Sequence, residues 1–176
     1  MNLQTSSIVR DVDVEGPRSI TSYNPATEEE IATVSALDSD GAVDAIRAAK
    51  EAFPQWSATP VAERQKLIGR WLQIMLDERD ELARLVSSEG GKPITEAGLV
   101  DVFPGLETLF FYSRKLSKLL AFKPVKPYQL LFAHWKAGYR FDPLGVMAVI
   151  TPWNYPVGIP MAEIVAAVGA GNTVVF

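Results

Sequence analysis

The stretch Gly145-Val-Met-Ala-Val-Ile150, followed directly by Thr151-Pro-Trp-Asn-Tyr-Pro156, decides the fold of this chain. The first segment has no polar side chain, which is typical of a parallel strand covered on both faces. The two prolines of the second segment restrict its backbone, so the side chains between them are held in place. In open α/β sheets, ligands bind at the loop after the carboxyl end of a strand. The sequence therefore predicts a ligand-facing loop at Thr151–Pro156.

The residues after this loop predict the rest of a β-α-β unit. Pro156 to Val168 is a nearly continuous apolar run of helical length, and it ends at Gly169 or Gly171, the residue type that favours a helix C-cap. Thr173–Phe176 is again apolar and predicts a second buried strand. The Gly-x-Gly pair follows the helix, whereas a dinucleotide-binding fingerprint precedes one, so a C-cap is the simpler interpretation.

Residues 19–142 predict a different arrangement, rich in helices. Ser19–Tyr23 and Ile31–Ser35 are β-rich runs on either side of Asn24-Pro-Ala-Thr-Glu28, the pattern of a hairpin with a longer loop. Four helical stretches follow: one capped near Asp38 and ending at Pro54, one opened by Pro60, one over Asp80–Ser88, and one over Thr95–Leu120 that Pro104 is expected to kink or interrupt. Lys123–Pro127 predicts an extended connector, and Trp135–Asp142 alternates as a half-buried strand does.

Composition excludes several classes of function. The formal net charge is −4, and the 17 basic residues form no run, so a nucleic-acid-binding stripe is not indicated. The chain has no cysteine, which excludes disulfides, thiolate metal sites and a cysteine nucleophile within these residues. The lone His134 is expected to be a partly exposed strand residue, and no metal site is predicted. No signal peptide or membrane-spanning run is visible, so no membrane partner is expected and the sequence predicts a cytoplasmic protein.

Asn154 is the side chain in the loop best suited to chemistry. Its amide is a neutral hydrogen-bond donor, which suits an oxyanion that forms only in a transition state. An equally simple interpretation is that Asn154 caps the following helix and that Trp153 fills the core. Spacing alone leaves both interpretations open.

The Pro152-Trp-Asn-Tyr-Pro156 motif, together with Ala170-Gly-Asn-Thr-Val-Val175, resembles the aldehyde dehydrogenase superfamily. The resemblance implies an α/β fold: an N-terminal helical segment with a small hairpin and a β-arm, then the first β-α-β unit of a Rossmann-like coenzyme domain. It implies that Asn154 is the oxyanion-hole donor for a thiohemiacetal. It also implies that four residues line the cleft for NAD or NADP, namely Ile150, Thr151, Pro152 and Trp153.

Two further segments resemble the same family. Glu89-Gly-Gly-Lys-Pro93 matches a turn whose acid, in some members, lies near a structural monovalent cation and near the Tyr23-Asn24-Pro25 turn. The simpler interpretation is a solvated loop in which Lys92 caps a carbonyl. The Trp135–Asp142 strand resembles the arm that the family uses for subunit association, or it is a plain two-stranded ribbon.

These matches predict a division into residues 1–18 as a flexible arm, residues 19–142 as helices, hairpin and oligomerisation arm, and residues 143–176 as the start of the coenzyme domain. The family's nucleophilic cysteine and glutamate base have no counterpart in these 176 residues. The chain alone is therefore expected to be the N-terminal part of an aldehyde-oxidising enzyme, inactive by itself and binding coenzyme weakly or not at all. The alternatives are a non-catalytic homologue that associates with a full-length subunit, and a simple coenzyme-binding module. The expected partners are a small aldehyde and a further subunit, either another copy or a full-length homologue.

Overall fold

The computed structural model describes residues 18–132 and 134–176, and in this part it is an α/β structure. The predicted flexible arm lies outside the described residues apart from Arg18, which begins the first strand. The elements are, in chain order, β1 (Arg18–Tyr23), β2 (Glu30–Ala36), α1 (Ser39–Ala58), α2 (Val61–Asp77), α3 (Arg79–Gly90), α4 (Ile94–Glu96), a π-helical turn (Ala97–Val102), α5 (Phe103–Leu119), β3 (Lys123–Val125), a 3-10 turn (Leu130–Phe132), β4 (Ala137–Tyr139), β5 (Val146–Ala148), α6 (Gly158–Ala170) and β6 (Thr173–Val175). None of the helices in the described ranges is long and apolar enough to span a membrane.

The predicted hairpin is confirmed. Strands β1 and β2 pair antiparallel, with Ser19 opposite Ser35. The loop between them is closed by the side chain of Asn24, whose Oδ1 accepts a hydrogen bond of 2.9 Å from the backbone nitrogen of Ala26. This Asx-type turn is the local chemistry that the Asn-Pro sequence favours.

Helix α1 begins as predicted and ends later than predicted. Asp38 is its N-cap and accepts a hydrogen bond from the backbone nitrogen of Gly41. The prediction that Pro54 ends the helix is wrong, because the helix continues to Ala58. The indole nitrogen of Trp56 donates a 3.1 Å hydrogen bond to the carbonyl of Val168, and this tertiary contact holds the last turn in place despite the hydrogen bond that proline removes.

Pro104 does not break the long helical stretch; a π-helical turn precedes it. The backbone nitrogen of Phe103 bonds to the carbonyl of Gly98, five residues back. A proline ring clashes with the carbonyl four residues before it in a regular α-helix, and widening that turn relieves the clash. The wider turn brings two consecutive side chains, Asp101 and Val102, into the interior.

The core lies where α2, α5 and α6 pack together. Eight buried side chains form it: Ile68, Met75, Ala83, Val102, Leu106, Leu109, Leu116 and Val165. Because Val165 belongs to α6, the segment after residue 143 shares this core with the N-terminal helices. The proposed domain boundary stays a prediction.

A buried cation ties two helix ends to this core. The guanidinium of Arg64, on α2, donates to the carbonyl of Gly169 at 3.0 Å and to the carbonyl of Thr59. These oxygens belong to the C-terminal ends of α6 and α1, where the helix dipole is negative. Burial lowers the pKa of Arg64 from its ordinary value, yet arginine stays protonated in proteins.

The two short sheets differ from their predictions in extent. A strand within Trp135–Asp142 is confirmed, but it covers only Ala137–Tyr139, and the prediction that it is half-buried is wrong because all three residues are exposed. Strands β5 and β6 pair in parallel, with Val146 opposite Thr173, which confirms the β-α-β unit. Both strands are half-buried at most positions, because each has only one neighbouring strand in the described structure.

Candidate functional site

The loop between β5 and α6 carries all five predicted site residues. It leaves the carboxyl end of β5, the edge of a parallel sheet where ligands bind in α/β folds. Ile150 is 94% exposed and Trp153 is 83% exposed. Pro152 and Asn154 are also exposed, and Thr151 is half-buried. The structure therefore exposes four of these five side chains, and Thr151 in part, rather than burying them in the core.

Neither simple interpretation of the motif agrees with the structure. The N-cap position of α6 is Val157, so the interpretation of Asn154 as a helix cap is wrong. The interpretation of Trp153 as a core residue is wrong as well, because most of its surface is exposed. Within the residues that the structure describes, the Asn154 carboxamide has no hydrogen-bond partner, while its backbone carbonyl has one. The amide is thus an available donor on a fixed backbone.

The cap of α6 comes from a distant residue, Asp101 in the π-helical turn. Its carboxylate Oδ1 accepts hydrogen bonds from the backbone nitrogens of Val157, at 3.1 Å, and Gly158, at 2.6 Å. The first backbone N–H groups of a helix have no partner within the helix, and a carboxylate satisfies them and complements the positive end of the dipole. The Asp101 side chain is completely buried.

Lys92 completes the support of the loop. Its Nζ donates to the backbone carbonyl of Asn154 and lies 3.7 Å from Oδ2 of Asp101. The same Nζ lies 4.3 Å from the centroid of the Tyr155 ring, within the range of a cation–π contact. The Lys92 side chain is only 11% exposed. The prediction of a solvated segment with Lys92 capping a carbonyl is confirmed, since its other residues, Glu89 to Gly91 and Pro93, are exposed, but the Lys92 side chain itself is mostly buried.

The chain around Lys92 is itself tightly placed. Gly91 has φ of +65°, a left-handed conformation that ends α3, and a Cβ there would lie 2.8 Å from Cγ of Pro25. Glu89 accepts a 2.7 Å hydrogen bond from Ser22 Oγ. The structure thus brings Glu89, in the last turn of α3, to the hairpin. Across the described residues, no cluster of three or more acidic or histidine side chains forms a metal site.

Two other predicted features have structural explanations. Gly171, with φ of +99°, caps the end of α6, which confirms the C-cap interpretation. Asn172 is buried: its Oδ1 accepts from the backbone nitrogens of Leu144, at 2.6 Å, and Gly145, at 3.0 Å. It therefore ties the end of α6 to the beginning of β5.

His134 is exposed and lies in a turn before β4, so its assignment to a strand is wrong.

Sequence reasoning missed Asp101 and the buried role of Lys92. A signal was present for the first, because Asp101 is the only charged residue between Ala97 and Leu106. An isolated charge within an apolar helical stretch is either buried with partners or interrupts the stripe. No comparable signal marked Lys92, because glycine, lysine and proline are typical of exposed turns, and the Gly-Gly-Lys-Pro sequence therefore predicts a surface position.

Comparisons with known proteins match this arrangement of elements. A sequence model described as the aldehyde dehydrogenase family matches residues 12–176. The chain is 35% identical over 165 residues to a malonate-semialdehyde dehydrogenase of Bacillus pumilus, covering 94% of this chain and 33% of that protein. It is 34% identical over 158 residues to a betaine aldehyde dehydrogenase of Vibrio vulnificus, covering 90% of this chain and 32% of that protein.

A solved structure shows the same fold. The crystal structure of an aldehyde dehydrogenase from Brucella melitensis biovar abortus 2308 superposes with a TM-score of 0.82 at 26% identity, covering 92% of this chain and 33% of that one. The chain thus spans about a third of the length of the relatives it matches.

Proposed function

Because this chain belongs to the aldehyde dehydrogenase family, we propose that it supplies the oxyanion-binding loop and one wall of the coenzyme cleft of an NAD(P)-dependent enzyme that oxidises aldehydes to acids. The observation that carries the proposal is the state of Asn154. Its amide is exposed at the carboxyl edge of the parallel strands, while its backbone is held by Lys92. A preorganised neutral donor of this kind stabilises negative charge that develops on a carbonyl oxygen.

In the proposed mechanism, Asn154 donates a hydrogen bond to the aldehyde oxygen as a nucleophile adds to the carbonyl carbon. The family's nucleophile is a cysteine, and residues 1–176 contain none. These residues therefore contribute the donor and the positioning of the loop. We propose that by themselves they do not oxidise aldehydes.

The exposed loop residues fit a nicotinamide coenzyme. Ile150 and Trp153 are apolar and almost fully exposed beside the carboxyl end of β5, where one face of a flat ring system can rest on them. Thr151 and Pro152, between them, would line the same wall. When bound, the coenzyme supplies the acceptor for a hydride. Because only one wall is present, binding of NAD or NADP to this chain alone is expected to be weak.

A non-catalytic role in association with another subunit is the second candidate. The β3–β4 ribbon, the connection between its strands and the residues directly after β4 expose large apolar side chains, namely Tyr128, Leu130, Leu131, Trp135, Tyr139 and Phe141. An exposed apolar surface of this kind favours contact with another polypeptide, a second copy or a full-length homologue. A cytoplasmic location also stays a prediction.

The test of the first candidate uses two preparations. The purified chain, incubated with NAD or NADP and a panel of aldehydes, should give no enzyme-dependent NAD(P)H absorbance. A joined enzyme, in which residues 1–176 precede the remaining residues of the Bacillus pumilus relative, should be active. There, Asn154→Ala should lower kcat by roughly 10²–10³-fold with coenzyme affinity unchanged. An unchanged kcat in this variant would contradict the proposed role of Asn154.

A further inference from the structure

We propose that Lys92 and Asp101 are positioning residues that set the direction of the Asn154 amide. This inference rests on the proposed function of Asn154 as the oxyanion donor. It differs from that function in assigning a role to two residues on other elements, one after α3 and one in the π-helical turn. Neither residue is part of the loop that carries the chemistry.

The first step of the argument is the bond from Lys92 to the Asn154 backbone. Nζ of Lys92 donates to the carbonyl oxygen of Asn154. A carbonyl that is fixed in space restricts rotation about the preceding Cα–C bond, because the peptide group is planar. The direction of the Cα–Cβ bond is then restricted relative to helix α3, and it sets the positions that the carboxamide can reach by rotation about its side-chain bonds. A donor is useful in an oxyanion hole only if it is held in the productive direction before the reaction.

The second step is that the two carboxylate oxygens of Asp101 face different partners. Oδ1 accepts from the nitrogens of Val157 and Gly158, at the end of the loop. Oδ2 makes no hydrogen bond with any described residue and faces Nζ of Lys92 at 3.7 Å. One buried carboxylate therefore holds the loop at two points, directly where α6 begins and through Lys92 at Asn154.

The third step is the cost of placing these charges in the interior. Removing an ammonium and a carboxylate from water is expensive, and an apolar pair of similar size would hold the two helices at lower cost. The Lys92 ammonium has three partners: it donates a hydrogen bond to the Asn154 carbonyl, forms an ion pair with the Asp101 carboxylate and makes a cation–π contact with the Tyr155 ring. An apolar replacement could not hold a backbone carbonyl in one direction. Directional control of the loop is what this charged pair adds to packing.

The first arm of the test uses the 176-residue chain and reads the Asn154 side chain directly. In ¹⁵N-labelled protein, Lys92→Met should shift or broaden the Asn154 side-chain amide resonances, and Lys92→Arg should restore them in part. Lys66→Met is the matched control, because Lys66 is an exposed lysine whose ion pair with Glu63 lies on the surface of α2. If Lys92→Met leaves the Asn154 amide as unchanged as the control does, the proposal is overturned.

A second variant keeps the test decisive if Lys92→Met does not fold. Asp101→Asn preserves an oxygen that can accept from the α6 nitrogens and removes the charge that faces Lys92. It should also move the Asn154 amide resonances, by less than Lys92→Met. Resonances identical to those of the unsubstituted chain would count against the proposal.

The second arm is a double-mutant cycle in the joined enzyme. Lys92→Met should lower kcat by roughly 10- to 100-fold, with the KM for coenzyme unchanged. In an Asn154→Ala background the same substitution should lower kcat no further, because its effect passes through Asn154. A merely structural lysine would reduce activity equally in both backgrounds, and that result would overturn the proposal.

The cycle also separates the two proposals from each other. If Asn154→Ala alone leaves kcat unchanged, the proposed oxyanion role fails. If Asn154→Ala lowers kcat but the Lys92 effect is additive, only the positioning role fails.

Discussion

Oδ1 of Asp101 lies 2.6 Å from the backbone nitrogen of Gly158, and the contact leaves no room for a side chain at position 158. A Cβ on Gly158 would lie 2.9 Å from the backbone oxygen of Asp101. Helix α6 can therefore begin against the π-helical turn only because a glycine stands there. This close approach links the loop that carries Asn154 to the helical layer.

The first prediction follows from this approach. Gly158→Ala should lower the free energy of unfolding by about 1–3 kcal/mol, because the clash is with a backbone oxygen that cannot rotate away. Gly69→Ala is the matched control, since Gly69 lies inside α2 and its nearest foreign atom, Cβ of Ser113, would be 3.9 Å from the new methyl group. That control should raise the free energy of unfolding by about 0.5–1 kcal/mol. Urea denaturation of both variants measures the difference, and effects of the same sign would contradict the prediction.

The second prediction concerns the buried cation that joins two helix ends. Arg64→Met should lower the free energy of unfolding by about 1–3 kcal/mol for each buried carbonyl left without a partner. The buried carbonyl at risk is that of Gly169, and the half-buried carbonyl of Thr59 also loses its partner. Arg47→Met, which removes an exposed ion pair with Asp44, should change it by no more than about 0.5 kcal/mol. Equal losses in the two variants would show that the burial of Arg64 contributes nothing.

The sequence predicted the elements of the fold far better than it predicted their ends. Alternation and turn residues identified the hairpin, and the apolar run after Gly145 identified the β-α-β unit, because both patterns are local. The end of α1 was missed, since Trp56 holds the turn beyond Pro54 through a contact with Val168, 112 residues away. No local pattern carries that information.

The candidate site was likewise predicted in its local part and missed in its long-range part. The motif around Asn154 placed the loop correctly, because strand, proline and asparagine are neighbours in the sequence. Its support was not predicted, since Lys92 and Asp101 reach the loop only after α3, the π-helical turn and α6 have packed together. The π-helical turn itself depends on Pro104, for which the sequence predicted a kink or an interruption but no specific geometry.

The third prediction concerns Asn172, which ties the end of α6 to the beginning of β5. Asn172→Leu removes the acceptor for the nitrogens of Leu144 and Gly145 and the donor to the carbonyl of Ala167. The two backbone nitrogens left unsatisfied should each lower the free energy of unfolding by about 1–3 kcal/mol, whereas the Ala167 carbonyl keeps its bond from the Asn172 backbone nitrogen. Asn172→Asp keeps the acceptor and loses only the donor, so its loss should be smaller. Thermal or urea unfolding ranks the two variants, and a larger loss for Asn172→Asp would contradict this account.

The last prediction concerns local stability within the chain. Strand β5 bonds only to β6 in the described structure, through pairs such as the nitrogen of Val149 with the carbonyl of Val175, at 2.9 Å. A two-stranded sheet opens by breaking few hydrogen bonds, whereas Leu109 and Leu116 of α5 are buried among several helices. The amide of Val149 should therefore exchange with solvent deuterium at least about 100-fold faster than the amides of these two leucines.

The free edges of the same sheet give this prediction a second readout. Unpaired strand edges associate with other chains, so exchange at Val149 should slow as protein concentration rises, while exchange at Leu109 should not change. A monodisperse monomer in which Val149 is as protected as Leu109 would contradict the prediction. It would mean that packing of α6 on α2 and α5 is enough to hold both strands in place, and that β5 needs no further neighbour to be stable.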